Sequence, residues 1–428
     1  MLQLWLVANT VLWPISVKLG GLTLGLNVVV LIFTGTIWLG KSWRISVGTA
    51  KVLFALLVFV PVSLIVALAG PCTDHMQKSM LSIPILLFLV LLALEVGRRS
   101  SSTDWLSLHK TAQWCLFVTF SSFIVEMLFP AWSSYKAIYR AEGKFSGLFQ
   151  EPSHVAFSLF PCVAVLLSAQ DKKIQRRGIV ALLGLLLLSR SSTLIAFIAV
   201  YVLYRIFSRG KARQAAALTL GVGALFALAA TVDYSRFVLP TIARITGIAA
   251  PNETENLSSL VYVQGWQDAW FNLKRTHGMG LGINMMGCSP LPDVSVRSVL
   301  ALGGLGDINA EDGSFLFAKI VSEAGVLGIV FYIVLIWWWV QLERRLGHSQ
   351  KDAIYVAVSV QAVFIFCFLA SSFLRSANYF DGGFLFWVVT AAAALTWQQH
   401  LSPPNGAEKD AIAPMGSIAA ESQSSEDV

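Results

Sequence analysis

The segment Gly147-Leu-Phe-Gln-Glu151-Pro152-Ser153-His154 sets a carboxylate, a hydroxyl and an imidazole where an apolar run begins. Proline suits the first turn of a helix, where its missing N–H would find no partner in any case. Glu151 then stands at the positive end of the helix dipole, and Ser153 and His154 project from the first turn. Free N–H groups at such an end also favour an anion. Two readings stay open: Glu151 caps the helix and His154 is an interfacial polar residue, or both face a substrate. A second acidic cluster, Asp307-Ile-Asn-Ala-Glu311-Asp312-Gly313-Ser314, directly precedes another apolar run and on spacing alone reads as a solvated helix start.

Basic residues near these clusters extend the chemistry. Lys136, Arg140 and Lys144 are spaced by four and would share one face of a helix. Like charges so placed repel by roughly 0.2–0.5 kcal/mol, which points to an anionic partner. Lys136 and Lys144, with Trp132, Tyr135 and Tyr139, suit an interfacial helix on acidic head groups. Arg140 is assigned to function instead, because of the segment that follows it. Further along, Arg244 precedes Leu260–Phe271, whose apolar and aromatic residues suit an amphipathic helix near the membrane surface. Arg275-Thr-His277-Gly278-Met-Gly280-Leu-Gly282 follows. This glycine run lacks the preceding strand and the acidic partner of a dinucleotide fingerprint. It reads as a turn that lets backbone approach a ligand or another helix.

The elements that must carry these residues follow from composition. The 428 residues are 56% hydrophobic and only 13% charged, against about 25% charged in soluble domains. The mean hydropathy is +0.69. A large soluble enzyme, a disordered regulator and a disulfide-stapled secreted module are excluded. A span needs roughly 20 apolar residues, and about twelve runs qualify. They lie near 3–17, 22–39, 52–69, 81–96, 112–130, 153–169, 178–189, 192–207, 214–231, 315–340, 353–370 and 383–397. The expected fold is therefore all-α and polytopic, with residues 1–401 forming the membrane domain. Residues 178–189 and 192–207 are short enough to be one hairpin broken at Arg190, a further candidate residue. The tail, 402–428, has the polar, Pro- and Ser-containing composition of a disordered segment. The first residues lack the basic region of a cleavable signal peptide.

The net charge of +7 resolves into sidedness rather than nucleic-acid binding. Clusters such as Lys41/Arg44/Lys51, Lys172/Lys173/Arg176/Arg177 and Arg344/Arg345/Lys351 fall in one set of alternating loops. The positive-inside rule puts that set, and both termini, in the cytoplasm. The opposite side receives the two larger loops, 131–152 and 232–314, which hold the candidate residues. Loops of such length are more often functional than connective. Cys72 and Cys288 share that side and either pair or remain free thiols, while Cys115, Cys162 and Cys367 lie within spans. Charges within spans are few, with Glu126 the clearest and Lys319 near one end, and Glu323 reads as interfacial. No P-loop, H-E-x-x-H, C-x-x-C, G-x-S-x-G or Asp-x-Asp motif is present.

The order of these motifs resembles the Wzy-type O-antigen polymerases and, more distantly, the O-antigen ligases. Arg140-Ala-Glu-Gly143 followed by G-L-F-Q-E-P-S-H is similar to that family's R-x-x-G and G-x-F-x-E-P-S-x segment. Arg244, a Trp-containing stretch, G-x-G-x-G and then G-S-F-L-F…S-E-A-G-V-L-G continue the likeness, which covers residues 110–340. The E-P-S form favours polymerase over ligase, whose segment more usually reads N-P-N. The ligases also place a His-Asn pair before their last E-x-G-x-x-G span; here Glu311-Asp312-Gly313-Ser314 stands there.

The resemblance implies a glycosyltransferase on the outer face of a bacterial inner membrane. It would move a growing glycan from one undecaprenyl diphosphate onto the sugar of another lipid-linked unit. Arg140, Arg244 and Arg275 would hold the diphosphate, as guanidinium groups suit it. Asp312, His154 or Glu151 would supply the base for the acceptor hydroxyl, with His277 as a further candidate. No cofactor or metal is expected, since the donor carries its own leaving group. Membrane lipids and a chain-length regulator are expected partners; nucleic acid is not. Transfer to lipid A core, or transport of lipid-linked sugars, are the alternatives, the last resting on the number of spans alone.

Overall fold

The computed structural model describes residues 1–19, 22–42, 76–129, 143–208, 256–288, 291–292, 294–348, 353–375, 378–380 and 382–397, with isolated positions between these blocks. Arg140, Arg244, the expected spans at 52–69 and 214–231 and the tail lie outside the described residues. Among those described, the chain is helical apart from one hairpin. Four helices are long and apolar enough to cross a bilayer: Met76–Arg99, Ser102–Leu128, Val326–Leu346 and Ile354–Leu374. Five shorter apolar helices accompany them.

The N-terminus departs from the two simple spans expected there. Helix α1 (Leu2–Val7) passes into a π-helical turn, Ala8–Leu12, and then into strands β1 (Ser16–Leu19) and β2 (Leu22–Gly25). The strands pair antiparallel with Leu19 opposite Leu22. Helix α2 follows at Leu26–Ser42, later than the 22–39 expected.

Helices α3 (Met76–Arg99) and α4 (Ser102–Leu128) are separated by Ser100 and Ser101, and the Ser101 hydroxyl accepts from the Asp104 N–H in a reciprocal capping box. Helix α5 (Pro152–Ser168) opens with proline, as its sequence predicts, and is buried along nearly its whole length. A helix apolar on every side belongs at the centre of a bundle. Helices α6 (Lys172–Ser189) and α7 (Ser192–Ser208) are separate elements, divided by Arg190 in a left-handed conformation at φ 47°. Lipid is as apolar as leucine, so packing and interhelical hydrogen bonds must hold such helices together. Phe160 stacks on Phe197 at 5.0 Å, and Trp13 Nε1 donates to Ser158 Oγ at 2.8 Å.

Helices α8 (Leu257–Arg275), α9 (Ser295–Leu302) and α10 (Leu316–Ala324) form a packed unit before the long helix α11 (Val326–His348). The expected span at 315–340 is thus two helices. Gly325, at φ 61°, breaks them, and a Cβ there would fall 2.0 Å from the Gly278 carbonyl oxygen. That contact explains the glycine run: Val326 N–H donates to Gly278 O, Leu281 N–H to Ser322 O and Gly282 N–H to Glu323 O. The turn thus brings its backbone against the end of another helix. Helices α12 (Ala353–Leu374) and α13 (Gly382–Trp397) complete the bundle.

Helix α8 buries polar side chains where an amphipathic surface helix would expose them. Gln264, Asp268 and Asn272 form a buried stripe, while Trp270 is exposed. Asp268 pairs with Arg297 of α9 at 2.6 Å, and Arg297 also donates to the Gly306 carbonyl at 2.5 Å. These bonds tie the loop through 303–314 to α8.

Candidate functional site

One cavity of about 340 Å³ collects the three carboxylate and imidazole candidates. Glu151 and His154 come from the start of α5, and Asp312 from the loop before α10, flanked in the wall by Asn309 and Ser314. Arg375 and Asn378 come from the end of α12 and beyond, Gln150 from the approach to α5, and Trp13 and Phe157 give aromatic faces. The wall is predominantly polar, with one broad indole. Such a surface can hydrogen-bond hydroxyl groups and pack against a flat apolar face.

Local structure explains each placement. The π turn delivers Trp13, whose ring lies 5.3 Å from His154 and 5.2 Å from Phe157. Glu126 near the end of α4 accepts from the Ser146 N–H at 3.0 Å and the Gly147 N–H at 2.7 Å. It therefore anchors the approach to Glu151 rather than acting as a charge in mid-span. On the third side, Asn309 and Ser314 adopt φ values of 52° and 67°. Non-glycine residues held there store about 1–3 kcal/mol, a strain that clusters at functional sites.

Glu151 occupies the N-cap position of α5, yet its side chain makes no capping bond. Its Oε1 instead accepts from Arg375 Nη2 at 2.5 Å and from the Ser153 hydroxyl, and lies 3.2 Å from His154 Nε2. Burial alone would push this carboxyl up. Arg375, then His154 and Ser153, outweigh burial and hold it down at about 2. Glu151 is thus an ionised partner throughout the neutral range. His154 Nδ1 is buried and makes no hydrogen bond among the described residues.

The other sequence candidates stand elsewhere. Arg275 closes α8, lies over the Phe271 ring at 5.7 Å and reaches Cys288 Sγ at 3.7 Å, away from this cavity. His277 has φ 50° in the turn after α8, and its N–H bonds the Lys274 carbonyl, so its backbone shapes that turn. Arg190 caps α6 and packs against Gly143. Lys144 lies outside any helix, so the expected helical face does not extend to it. Cys288 is disulfide-bonded; Cys72 lies outside the described residues.

Arg375 is a site residue that the sequence alone does not single out. A signal is present, since it is a basic residue in the short connection between two apolar runs. A lone arginine in a short loop lacks the clustering that marks the larger loops. Comparison with known proteins returned no matching family model and no matching curated sequence.

Proposed function

We propose that this chain is a membrane glycosyltransferase that lengthens glycans carried on undecaprenyl diphosphate, on the outer face of a bacterial inner membrane. The observation that carries this reading is the convergence of Glu151, His154, Asp312 and Arg375 on one polar cavity. In the reaction, the acceptor hydroxyl attacks the anomeric carbon of the donor glycan. The carbon–oxygen bond to the lipid diphosphate breaks, and the diphosphate leaves with the electron pair.

The residues divide the work by their surroundings. Asp312 is the base, because it lines the cavity and, among the described residues, has no arginine contact like the one that holds Glu151. Glu151, whose Oε1 is already engaged by Arg375 and Ser153 and whose carboxyl is held down at about 2, is the poorer base of the two. Its part is to orient Arg375 and His154. Arg375 neutralises charge on the departing diphosphate, the kind of preorganised stabilisation that contributes most in a dry site. Arg140 and Arg244 remain proposed as further contacts to the diphosphate; Arg275, turned towards Phe271, is the weakest of that set.

Sidedness has two supports. Lys172, Lys173, Arg176 and Arg177 lie beyond the end of α5 opposite Glu151, as expected if that end is cytoplasmic. The disulfide at Cys288, in the loop that supplies Asp312, suits an oxidising compartment. The same reading keeps about twelve spans, with both termini inside. The test is chain lengthening in liposomes by Asp312→Asn. Loss of product ladders in a folded variant supports the assignment, and ladders of unchanged length refute it. Product found on lipid A core would instead make the chain a ligase.

A further inference from the structure

Lys319 and Glu323, one turn apart on α10, are both buried, each with about 1% of its side chain exposed and 3.2 Å between Nζ and Oε1. Neither lines the cavity. A buried ion pair is seldom more stabilising than packed apolar side chains of the same volume, so its presence calls for another cause. Its bonds supply one. The Glu323 carboxylate accepts from the Asn284 N–H at 2.7 Å, the Met286 N–H at 3.3 Å and the Tyr379 hydroxyl at 2.6 Å. Lys319 Nζ donates to the Glu311 carbonyl oxygen at 2.7 Å and lies 5.7 Å from the centre of the Tyr379 ring.

Three segments distant in sequence therefore meet on two side chains. They are the turn after Gly282, the loop holding Asp312, and the loop holding Arg375. Asp312 is the residue after Glu311, and Tyr379 follows the cavity residue Asn378. The loop between Asp312 and α10 carries the left-handed Gly313 and Ser314, a conformation that surrounding contacts must enforce.

We propose that Lys319 and Glu323 form a positioning pair for the cavity. They fix where Asp312 and Arg375 stand relative to Glu151 and His154, and they touch no substrate. The activity arm of the test rests on the glycosyl transfer proposed above; the structural arm does not.

Two variants of the full-length protein test the pair: Lys319→Met combined with Glu323→Met, and Tyr379→Phe. The double variant replaces the ions with apolar side chains of similar length but leaves the Asn284 and Met286 N–H groups, the Tyr379 hydroxyl and the Glu311 carbonyl without their partners, so its melting temperature should fall. Amide exchange at Asn284 and across 309–314 should quicken by about tenfold or more, because the Asn284 N–H loses its carboxylate acceptor and the Glu311 carbonyl loses its ammonium donor. Chain-lengthening turnover should fall by a factor on the order of ten, with KM changed by less than about threefold, since binding groups remain.

Wild-type exchange rates in both variants overturn the proposal. So does faster exchange with wild-type turnover, which would leave the pair a purely structural feature. If the double variant fails to fold, Tyr379→Phe, which deletes one hydroxyl, decides between these outcomes on the same two readouts. If the wild-type protein lengthens no glycan, the proposed function fails, and exchange alone then decides whether the pair orders the cavity loops.

Discussion

Replacing Arg375 by alanine probes the cavity at its most connected point. The guanidinium is the strongest of the forces holding the Glu151 carboxyl down against burial. The drop from 4.5 to about 2 corresponds to about 3 kcal/mol favouring the ionised form, at 1.36 kcal/mol per tenfold. Both side chains are 23% exposed, so water that enters after the substitution will recover part of this. A stability loss of about 1–3 kcal/mol follows, below the 3–5 kcal/mol typical of a fully buried pair. On the proposed function, the effect on catalysis should be larger. Removing one preorganised donor from a developing anion costs roughly 2.7–4 kcal/mol, or about 100- to 1,000-fold in turnover. Arg375→Lys should recover part of the activity, because charge returns without the planar fork. The assay is chain lengthening by the purified protein in liposomes, alongside thermal melting in detergent. A folded Arg375→Ala protein with turnover within about threefold of the wild type would remove Arg375 from the mechanism, since the lost charge then plays no part in the barrier.

Further outcomes follow from the same geometry. The carboxyl of Glu151 is depressed in the folded state, so its contribution to stability is complete above about pH 4.5 and is lost as pH falls towards 2. Acid melting curves of wild type and Glu151→Gln should therefore converge over that window and differ above it. Burial already raises the Asp268 carboxyl to about 6 against the pull of Arg297, so in Arg297→Ala it takes up a proton, and the lost bonds should cost about 1–3 kcal/mol, visible as a lower melting temperature. In the denatured protein, a maleimide should modify the Cys288 peptide only after reduction, because the folded protein buries this side chain. Labelling without reduction would contradict the disulfide.

The parts of the fold that can be read from sequence are those with strong local physics. Proline at position 152 marks the start of α5, and the Lys172–Arg177 cluster marks the beginning of α6. The residues converging on the cavity are also visible, because His154, Glu151 and Asp312 are polar groups standing where apolar runs begin. What escapes is long-range. Gly325 interrupts the apolar run at 315–340, but only its contact with Gly278 shows that the chain must break there. The burial of Lys319 and Glu323 depends on Tyr379 and the 284–286 backbone, which no local pattern connects to them. The hairpin at Ser16–Gly25 is hidden by flanking apolar residues that suit a span equally well. Arg375 belongs to this class too, since its importance comes from a partner 224 positions away.

Bond formation between lipid-linked glycans, by this chain alone, is the decisive property. Purified protein in liposomes, given an undecaprenyl-diphosphate-linked repeat unit, should yield a ladder of longer lipid-linked products that Arg375→Ala and Asp312→Asn abolish. Repeat units that stay single while crossing the bilayer would overturn the proposed function and identify a carrier instead.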